Sequence, residues 1–476
     1  MTAEEILARL RALGERDVPT QGGRTLSYVY DSGLAEADEL GRSALGMYAG
    51  TNGLDPTAFP SLLAMENDLV AMAGGLLGAP EGFVGSVTSG GTESILLAVL
   101  AARDARGATE AQRAAPSMVL PTTSHAAFHK AAHYFGVRPV FVDVDPDSHR
   151  ADPDAMAAAI DDTTILLVGS APSYAHGVID PIPAIAALGR ERGIRVHVDA
   201  CIGGWVLPFL DDAAAWNFAV DAVSSISVDL HKYGYTPKGV SILLHRDAAL
   251  RRSQFFAAAD WPGYTMLNTT MQSTKSGGPL AAAWAVSRFI GIDGYRDLAR
   301  VARRATLDLA QVIAAEPLGL SVVAEPDSTL LALAASPDAG FDVFTLADEM
   351  HSRGWLLSPQ LPFRGGPASV HLSLCAATAA RLPELLEVLG ASVAAARATG
   401  PVSVDPAIGA AVSQLDPAHL DDATFDVLLA MAGLGGSAGL PERMAQINAL
   451  LAVAEPALRE ALLLGFIDRL ARPKEL

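Results

Sequence analysis

Disulfide chemistry is the first thing this chain lacks. Only two of its 476 residues are cysteine, Cys201 and Cys375, which excludes a disulfide framework and predicts a reducing, cytoplasmic setting. Positive charge is also scarce. The 34 Lys and Arg stand against 53 Asp and Glu, a formal net charge of −19, which argues against nucleic acid or an anionic membrane as partner. No uninterrupted apolar run is long enough to span a bilayer, and there is no internal repeat or long low-complexity segment. Met1–Asp17 is charged and amphipathic and does not read as a signal peptide. Half of the residues are apolar, so a large core can be buried, and the length exceeds a single-core size and predicts at least two domains.

What is present concentrates in Ser227–Gly239, S-V-D-L-H-K-Y-G-Y-T-P-K-G. A β-rich run over 222–228 delivers His231 and Lys232 into a turn rich in Gly and Pro. A lysine at a strand end suits Schiff-base chemistry: its amine must be neutral to attack a carbonyl, and a partly desolvated pocket lowers its pKa toward that state. Pyridoxal phosphate is the cofactor most often held this way. Alone, the pair reads as readily as an exposed turn lysine with a capping histidine.

Three further segments shift the balance. Ser86–Ser94, S-V-T-S-G-G-T-E-S, runs into apolar residues Ile95, Leu96, Val99 and Leu100 at helical spacing. Ser89, Gly90, Gly91 and Thr92 therefore sit where a helix begins, with free N–H groups, added hydroxyls and glycines that let backbone approach a phosphate. Ordinary capping by Ser89 or Thr92 does not need two adjacent glycines. Val196–Gly204 is an alternating strand ending in Asp199, and a buried acid there needs a cation, such as a protonated pyridine nitrogen; the plainer reading is a strand-end cap. His125 lies between a strand end at 118–120 and a helix over 126–135, placed to stack on a flat cofactor. His129 and His133 follow at i+4 and i+8, without an acidic ligand in register, and read as helix-surface or packing residues rather than a metal site.

Together these segments resemble the sphingosine-1-phosphate lyase family, in the group II decarboxylase-like branch of fold-type I pyridoxal-phosphate enzymes. The resemblance runs through residues 51–60, 87–96, 125–136, 176–183, 197–204, 225–239 and 276–285, in order, over about 25–390. It implies that Lys232 carries the cofactor as a Schiff base, that Asp199 pairs with the pyridine nitrogen and that His125 stacks on the ring. It implies that Ser89, Gly90, Gly91, Thr92 and His231 hold the phosphate. Lys238 matches a family lysine near the substrate phosphate or reaction centre, and Tyr30 a substrate-side tyrosine. Ser276 and Gly277 match a loop that reaches the partner subunit's cofactor, which implies a homodimer. The family's eukaryotic members carry a membrane anchor ahead of the catalytic part, and this chain has no such segment. One departure stands out: the family reads N-P-L-H-P where this chain has Asn52-Gly53-Leu54-Asp55-Pro56. Asp55 either puts a repulsive charge near a substrate phosphate or turns outward as a turn former.

The implied architecture is α/β. An N-terminal helical segment over 1–50 precedes a large cofactor domain over 51–290, with a mostly parallel, seven-stranded-type sheet covered by helices on both faces. A smaller α+β domain occupies 291–395, and a C-terminal helical extension 396–476. Strands are expected at 118–120, 139–144, 164–168, 196–199, 222–228 and 240–245, then 330–334 and 369–374; helices at 295–313 and 344–353. The resemblance implies a small-molecule amine as substrate. The two reactions open to it are retro-aldol cleavage of a Cα–Cβ bond and decarboxylation of an amino acid. A third possibility, a catalytically silent homologue, conflicts with the intact Lys232, Asp199 and His125 set.

Overall fold

The segment Thr164–Ser170 reads T-I-L-L-V-G-S, and every one of its residues is buried. A strand apolar on both faces belongs inside a sheet covered on both sides, and that is where it lies in the computed structural model. The residues described are 1–105, 108–405, 409, 412, 414–417, 426–427 and 443–473. The main sheet has seven strands: β1 (Val84–Thr88), β2 (Ser117–Pro121), β3 (Arg138–Val142), β4 (Thr164–Ser170), β5 (Arg195–Asp199), β6 (Ser225–Asp229) and β7 (Ser241–His245). Their order is β1-β7-β6-β5-β4-β2-β3. β3, β2, β4, β5 and β6 pair in parallel, while β7 is antiparallel to both β6 and β1.

Two antiparallel pairings in succession leave β1 parallel to β6. The carboxyl ends of β1, β2, β4, β5 and β6 therefore share one edge of the sheet, where open α/β sheets take their ligands. β1 was not among the strands expected from sequence. Its five residues lead straight into the Gly91–Arg103 helix, and the glycine-rich turn between them masks the strand pattern. The expected run over 222–228 starts later, at Ser225, because Ala222 takes a left-handed φ of 68° in the preceding turn.

The helices that cover the sheet carry conventional end signals. Asp152 accepts hydrogen bonds from the first-turn N–H groups of Pro153–Ala159. Gly136 and Gly193 close Ala127–Phe135 and Ile182–Arg192 in the left-handed conformation. The helical stretch Gly277–Ala315 breaks at Gly291, whose φ of +64° only glycine adopts without strain. No helix among the described residues is long and apolar enough to cross a membrane.

The chain divides into two compact units, but not at a single cut. The first comprises 1–310, 324–331 and 373–382; the second 311–323, 332–372 and 383–476. The N-terminal 50 residues fall within the first. The short segments return to it because they bond there: Ser373 N–H donates to Leu26 O at 2.7 Å, and Leu374 N–H to Thr329 O at 2.9 Å. The second unit is built on a four-stranded sheet in which Leu320–Val322 pairs with Leu330–Ala335, and Ser358–Gln360 with Ser369–Ser373. Part of the expected extension over 396–476, chiefly 418–425 and 428–442, lies outside the described residues. Helices Ala445–Val453 and Pro456–Leu470 are described there.

Three buried titratable groups couple this fold to pH. Burial pushes His197 down to about 4 and His245 down to about 3, so between there and about 6.5 the unfolded chain binds protons that the folded chain does not. Stability from each is lost as pH falls through that window. Burial raises Asp180 to about 6, which acts in the opposite sense: its contribution falls as pH rises from about 4 to 6. Each group is worth roughly 1.4 kcal/mol per pH unit, so Asp180 offsets one histidine. We expect the melting temperature to fall as pH is lowered from 6.5 to 4.5, and to fall less in His245→Gln. Parallel profiles for the two proteins would contradict the assignment.

Candidate functional site

At the carboxyl edge of the main sheet lies a cavity of about 380 Å³. Ser89–Thr92 enter it after β1, His125 after β2, Ser170 at the end of β4, Asp199 at the end of β5, and Asp229, His231 and Lys232 at and beyond the end of β6. Residues separated by more than a hundred positions meet because their strands end at one edge.

Lys232 stands at the centre of this arrangement. Its Nζ lies 3.0 Å from Asp229 Oδ2, and His231 Nε2 lies 3.6 Å from the same oxygen. Asp229 is 1 % exposed. Burial alone would raise the Asp229 carboxyl, but the Lys232 and His231 charges outweigh it and hold it below its ordinary value. Burial likewise opposes the charge on Lys232, yet Asp229, and then Cys201, Tyr30 and Asp199, drive the amine upward. This corrects the expectation of a lowered lysine: Asp229 holds the ammonium form, and the amine needs a proton acceptor before it can attack.

The glycine turn fits over this ion pair. A Cβ on Gly91 would lie 2.7 Å from Cys201 Sγ and 2.9 Å from both Asp229 oxygens, so only glycine brings the helix start this close. Gly90 caps that helix without a side-chain bond. The turn is held from behind: Glu93 accepts from Ser89 N–H at 2.6 Å and from Met271 N–H at 2.9 Å. His231 Nδ1 accepts from Val240 N–H at 3.2 Å, which leaves Nε2 for the Asp229 side.

Asp199 Oδ1 accepts from Cys201 N–H at 3.1 Å and from the Ser227 hydroxyl at 3.3 Å, leaving Oδ2 for a cation in the cavity. His125 Nδ1 accepts from Ala127 N–H at 3.1 Å, which fixes the ring on the cavity wall. These residues fit pyridoxal phosphate. Helix-start donors, hydroxyls and His231 would hold its phosphate at one side, the Asp199 carboxylate would serve its ring nitrogen, and the Lys232 amine lies in the same cavity.

Of the other expected site residues, Tyr30 and Lys238 stand outside the cavity lining but near enough to interact electrostatically with Lys232. The Tyr30 ring packs edge-on against Tyr233 at 5.0 Å, and burial pushes its hydroxyl up to about 12. Lys238 Nζ donates to Tyr28 O at 2.8 Å and His231 O at 3.2 Å and sits 5.1 Å from the Tyr30 ring centre. Burial first, then the Lys232 charge, lower this amine to about 8. Asp55 does not line the cavity. Exposed, it accepts from the Thr57 N–H at 2.8 Å and hydroxyl at 2.7 Å, bonds that hold its carboxyl below the ordinary value; it forms a turn. Ser276 and Gly277 do not line this chain's own cavity and pair with the 51–52 segment, where Gly277 N–H donates to Thr51 O at 2.9 Å. His129 stacks on Phe141 at 4.5 Å, and among the described residues no group of three His, Cys, Asp or Glu is placed to hold a metal.

Sequence reasoning missed Asp229 and Tyr174, both of which line the cavity. Asp229 was visible as the acid three residues before Lys232 at the strand end. Tyr174, beyond β4, carried no local signal.

The pyridoxal-dependent decarboxylase conserved domain matches residues 32–334, and a pyridoxal-dependent enzyme C-terminal putative HTH domain matches 406–469, part of which lies outside the described residues. A sphingosine-1-phosphate lyase from Dictyostelium discoideum is 39 % identical over 64 % of this chain and 58 % of its own length. The chain thus spans well under two thirds of that relative. One from Arabidopsis thaliana is 35 % identical over 86 % of this chain and 75 % of its own. Among solved structures, a Burkholderia pseudomallei sphingosine-1-phosphate lyase has 34 % identity and a TM-score of 0.76, covering 84 % of this chain and 92 % of that one. A Lactobacillus brevis glutamate decarboxylase, at 20 % identity, TM-score 0.75 and coverage of 85 % and 94 %, shares the fold.

The ion pair at the centre of the cavity is directly testable. Asp229→Asn removes the main source of the raised Lys232 pKa, so the free amine fraction at pH 8 should rise at least about tenfold, one pH unit's worth. Acylation of Lys232 in cofactor-free protein, followed by peptide mass mapping, reads this. An unchanged labelling rate would remove Asp229 from the account.

Proposed function

We infer that this chain, which belongs to the pyridoxal-dependent decarboxylase family, is a pyridoxal-phosphate lyase that cleaves the Cα–Cβ bond of a phosphorylated amino alcohol, such as a sphingoid base phosphate, by a retro-aldol step. In that step a base takes the β-hydroxyl proton and the Cα–Cβ bond breaks. The β carbon leaves as an aldehyde, and Cα takes up a proton to give a phosphorylated amine. When bound, pyridoxal phosphate supplies the electron sink for the pair released at Cα.

The protein's part is orientation and proton handling. Ser89, the Gly90 and Gly91 backbone, Thr92 and His231 would hold the cofactor phosphate, His125 would lie against the ring, and Asp199 would keep a proton at the ring nitrogen. Lys232 Nζ, held charged by Asp229, has a proton to give. The observation that carries the lyase reading is Lys238. Its amine is lowered to about 8, which makes it a general base or acid near neutral pH, and it sits six residues beyond Lys232, against Tyr30. A retro-aldol cleavage needs such a base for the β-hydroxyl; decarboxylation does not. Asp55, turned outward, raises no electrostatic objection to a phosphorylated substrate.

A decarboxylase remains the second reading, since a probable L-tyrosine/L-aspartate decarboxylase from Methanocella arvoryzae is 34 % identical over 77 % of its own length. We further infer a homodimer in the cytoplasm. Ser276 and Gly277 lie apart from this chain's own cavity. Ile6, Leu10, Phe256 and Leu267 are about half exposed on the chain alone, at 47 %, 58 %, 57 % and 59 %, as expected of residues that a second copy would cover.

Product analysis decides the reaction. Incubation with a phosphorylated sphingoid base should yield a long-chain aldehyde and phosphoethanolamine in equal amounts. Lys238→Arg, which keeps the charge but not the base, should lower kcat by roughly a hundredfold or more, while Asp55→His should leave it unchanged. Carbon dioxide released from an amino acid, with no aldehyde from the phosphorylated base, would favour the decarboxylase. Sedimentation should give a dimer; a fully active monomer would contradict the assembly.

A further inference from the structure

Behind Asp199 lies a chain of buried polar groups that the reaction above leaves unused. His197 and Asp199 point to the same face of β5, two residues apart, and are paired in register with Ser225 and Ser227 of β6. His197 is fully buried, and its Nδ1 lies 2.8 Å from Ser225 Oγ and its Nε2 3.2 Å from Ser227 Oγ. Ser227 Oγ in turn donates to Asp199 Oδ1 at 3.3 Å, and Cys201 Sγ lies 3.3 Å from the same hydroxyl. A hydroxyl has one proton to give. Because Ser227 spends it on Asp199, it must accept from His197, so the neutral ring carries its proton on Nε2 and Nδ1 accepts from Ser225. Every donor in the row then points toward the carboxylate: Ser225 to His197, His197 to Ser227, Ser227 to Asp199. Aligned bonds of this kind polarise one another and favour the ionised acceptor.

We propose that His197 is a positioning residue which, through Ser227, fixes the orientation of the Asp199 carboxyl toward the cofactor's ring nitrogen, and so sets the pH at which that nitrogen loses its proton. The titratable groups that act on His197 are Asp199 on its own strand and His245 on β7, Cys201 meets the row at Ser227, and Phe128 closes the ring's edge at 6.1 Å. Burial keeps the imidazole neutral above about pH 4, so it acts as a fixed donor throughout the working range. The proposal rests on the cofactor reading alone and is indifferent to the substrate.

The test uses holoenzyme loaded with pyridoxal phosphate labelled with nitrogen-15 in the ring. The resonance is followed against pH in the unmodified protein and in His197→Phe, His197→Gln and Ser227→Ala. His197→Phe keeps the bulk but breaks the row, Ser227→Ala cuts it one step later, and His197→Gln restores a donor toward Ser227. We expect the ring nitrogen to lose its proton at lower pH in His197→Phe and Ser227→Ala, by about one unit, with cofactor affinity weakened about tenfold, the loss of one hydrogen bond to a charged group. His197→Gln should recover most of both. A protonation midpoint unmoved in both His197→Phe and Ser227→Ala, even with lowered melting temperatures, would reduce His197 to a packing residue and overturn the proposal. So would a Gln variant as defective as Phe. Should the unmodified protein retain no cofactor, the cofactor reading fails instead, which distinguishes the two.

Discussion

The buried pair of Asp229 and Lys232 is the constraint around which the rest of the site is arranged. An ammonium and a carboxylate 3.0 Å apart with the acid 1 % exposed are costly to desolvate and stay buried only if each is compensated. Three features supply that compensation. The start of the Gly91–Arg103 helix comes within a missing Cβ of both carboxylate oxygens, bringing the positive end of a helix dipole to the acid. His231 approaches from the other side. Glu93 ties the helix start to Met271, and the Glu66–Lys275 pair at 2.6 Å, with Glu66 also accepting from Val87 N–H, braces the end of β1 beneath it. The glycine turn at the helix start and Lys232 are thus parts of one electrostatic unit.

That unit explains a division of labour between two lysines. Lys232 is surrounded by Asp229, Asp199 and Cys201, and its proton is held tightly. Lys238 lies six residues on, against Tyr30 and the Lys232 charge, and holds its proton weakly. One sequence motif therefore carries two amines whose environments shift them in opposite directions, a pattern that suits the acid and base roles proposed for them.

Much of this was legible in the sequence because the residues concerned sit in contiguous motifs at strand ends. Lys232, His231, Asp199, His125 and the Ser89–Thr92 turn were each read from local pattern, and the cavity gathers all of them. What was not legible depended on pairing between distant segments. The antiparallel insertion of β7, which turns β1 to face the site, leaves no local trace. The interleaved division into two units arises because 324–331 and 373–382 hydrogen-bond back into the first, which a linear cut cannot anticipate. The sign of the Lys232 shift was misjudged because burial was weighed without Asp229. Asp55 was ambiguous because a turn former and a pocket acid share one local sequence; Thr57, two residues on, takes both of its bonds and turns it outward.

The central claim is that the cavity at the carboxyl edge of the sheet holds pyridoxal phosphate on Lys232. Borohydride reduction of the purified holoenzyme, followed by peptide mapping, tests it most directly, since the chain has only five lysines. The account predicts that the cofactor is fixed to the peptide containing Lys232 and to no other. Attachment to Lys238, Lys275, Lys130 or Lys474, or recovery of every lysine unmodified from a protein with a visible absorbance band, would contradict it.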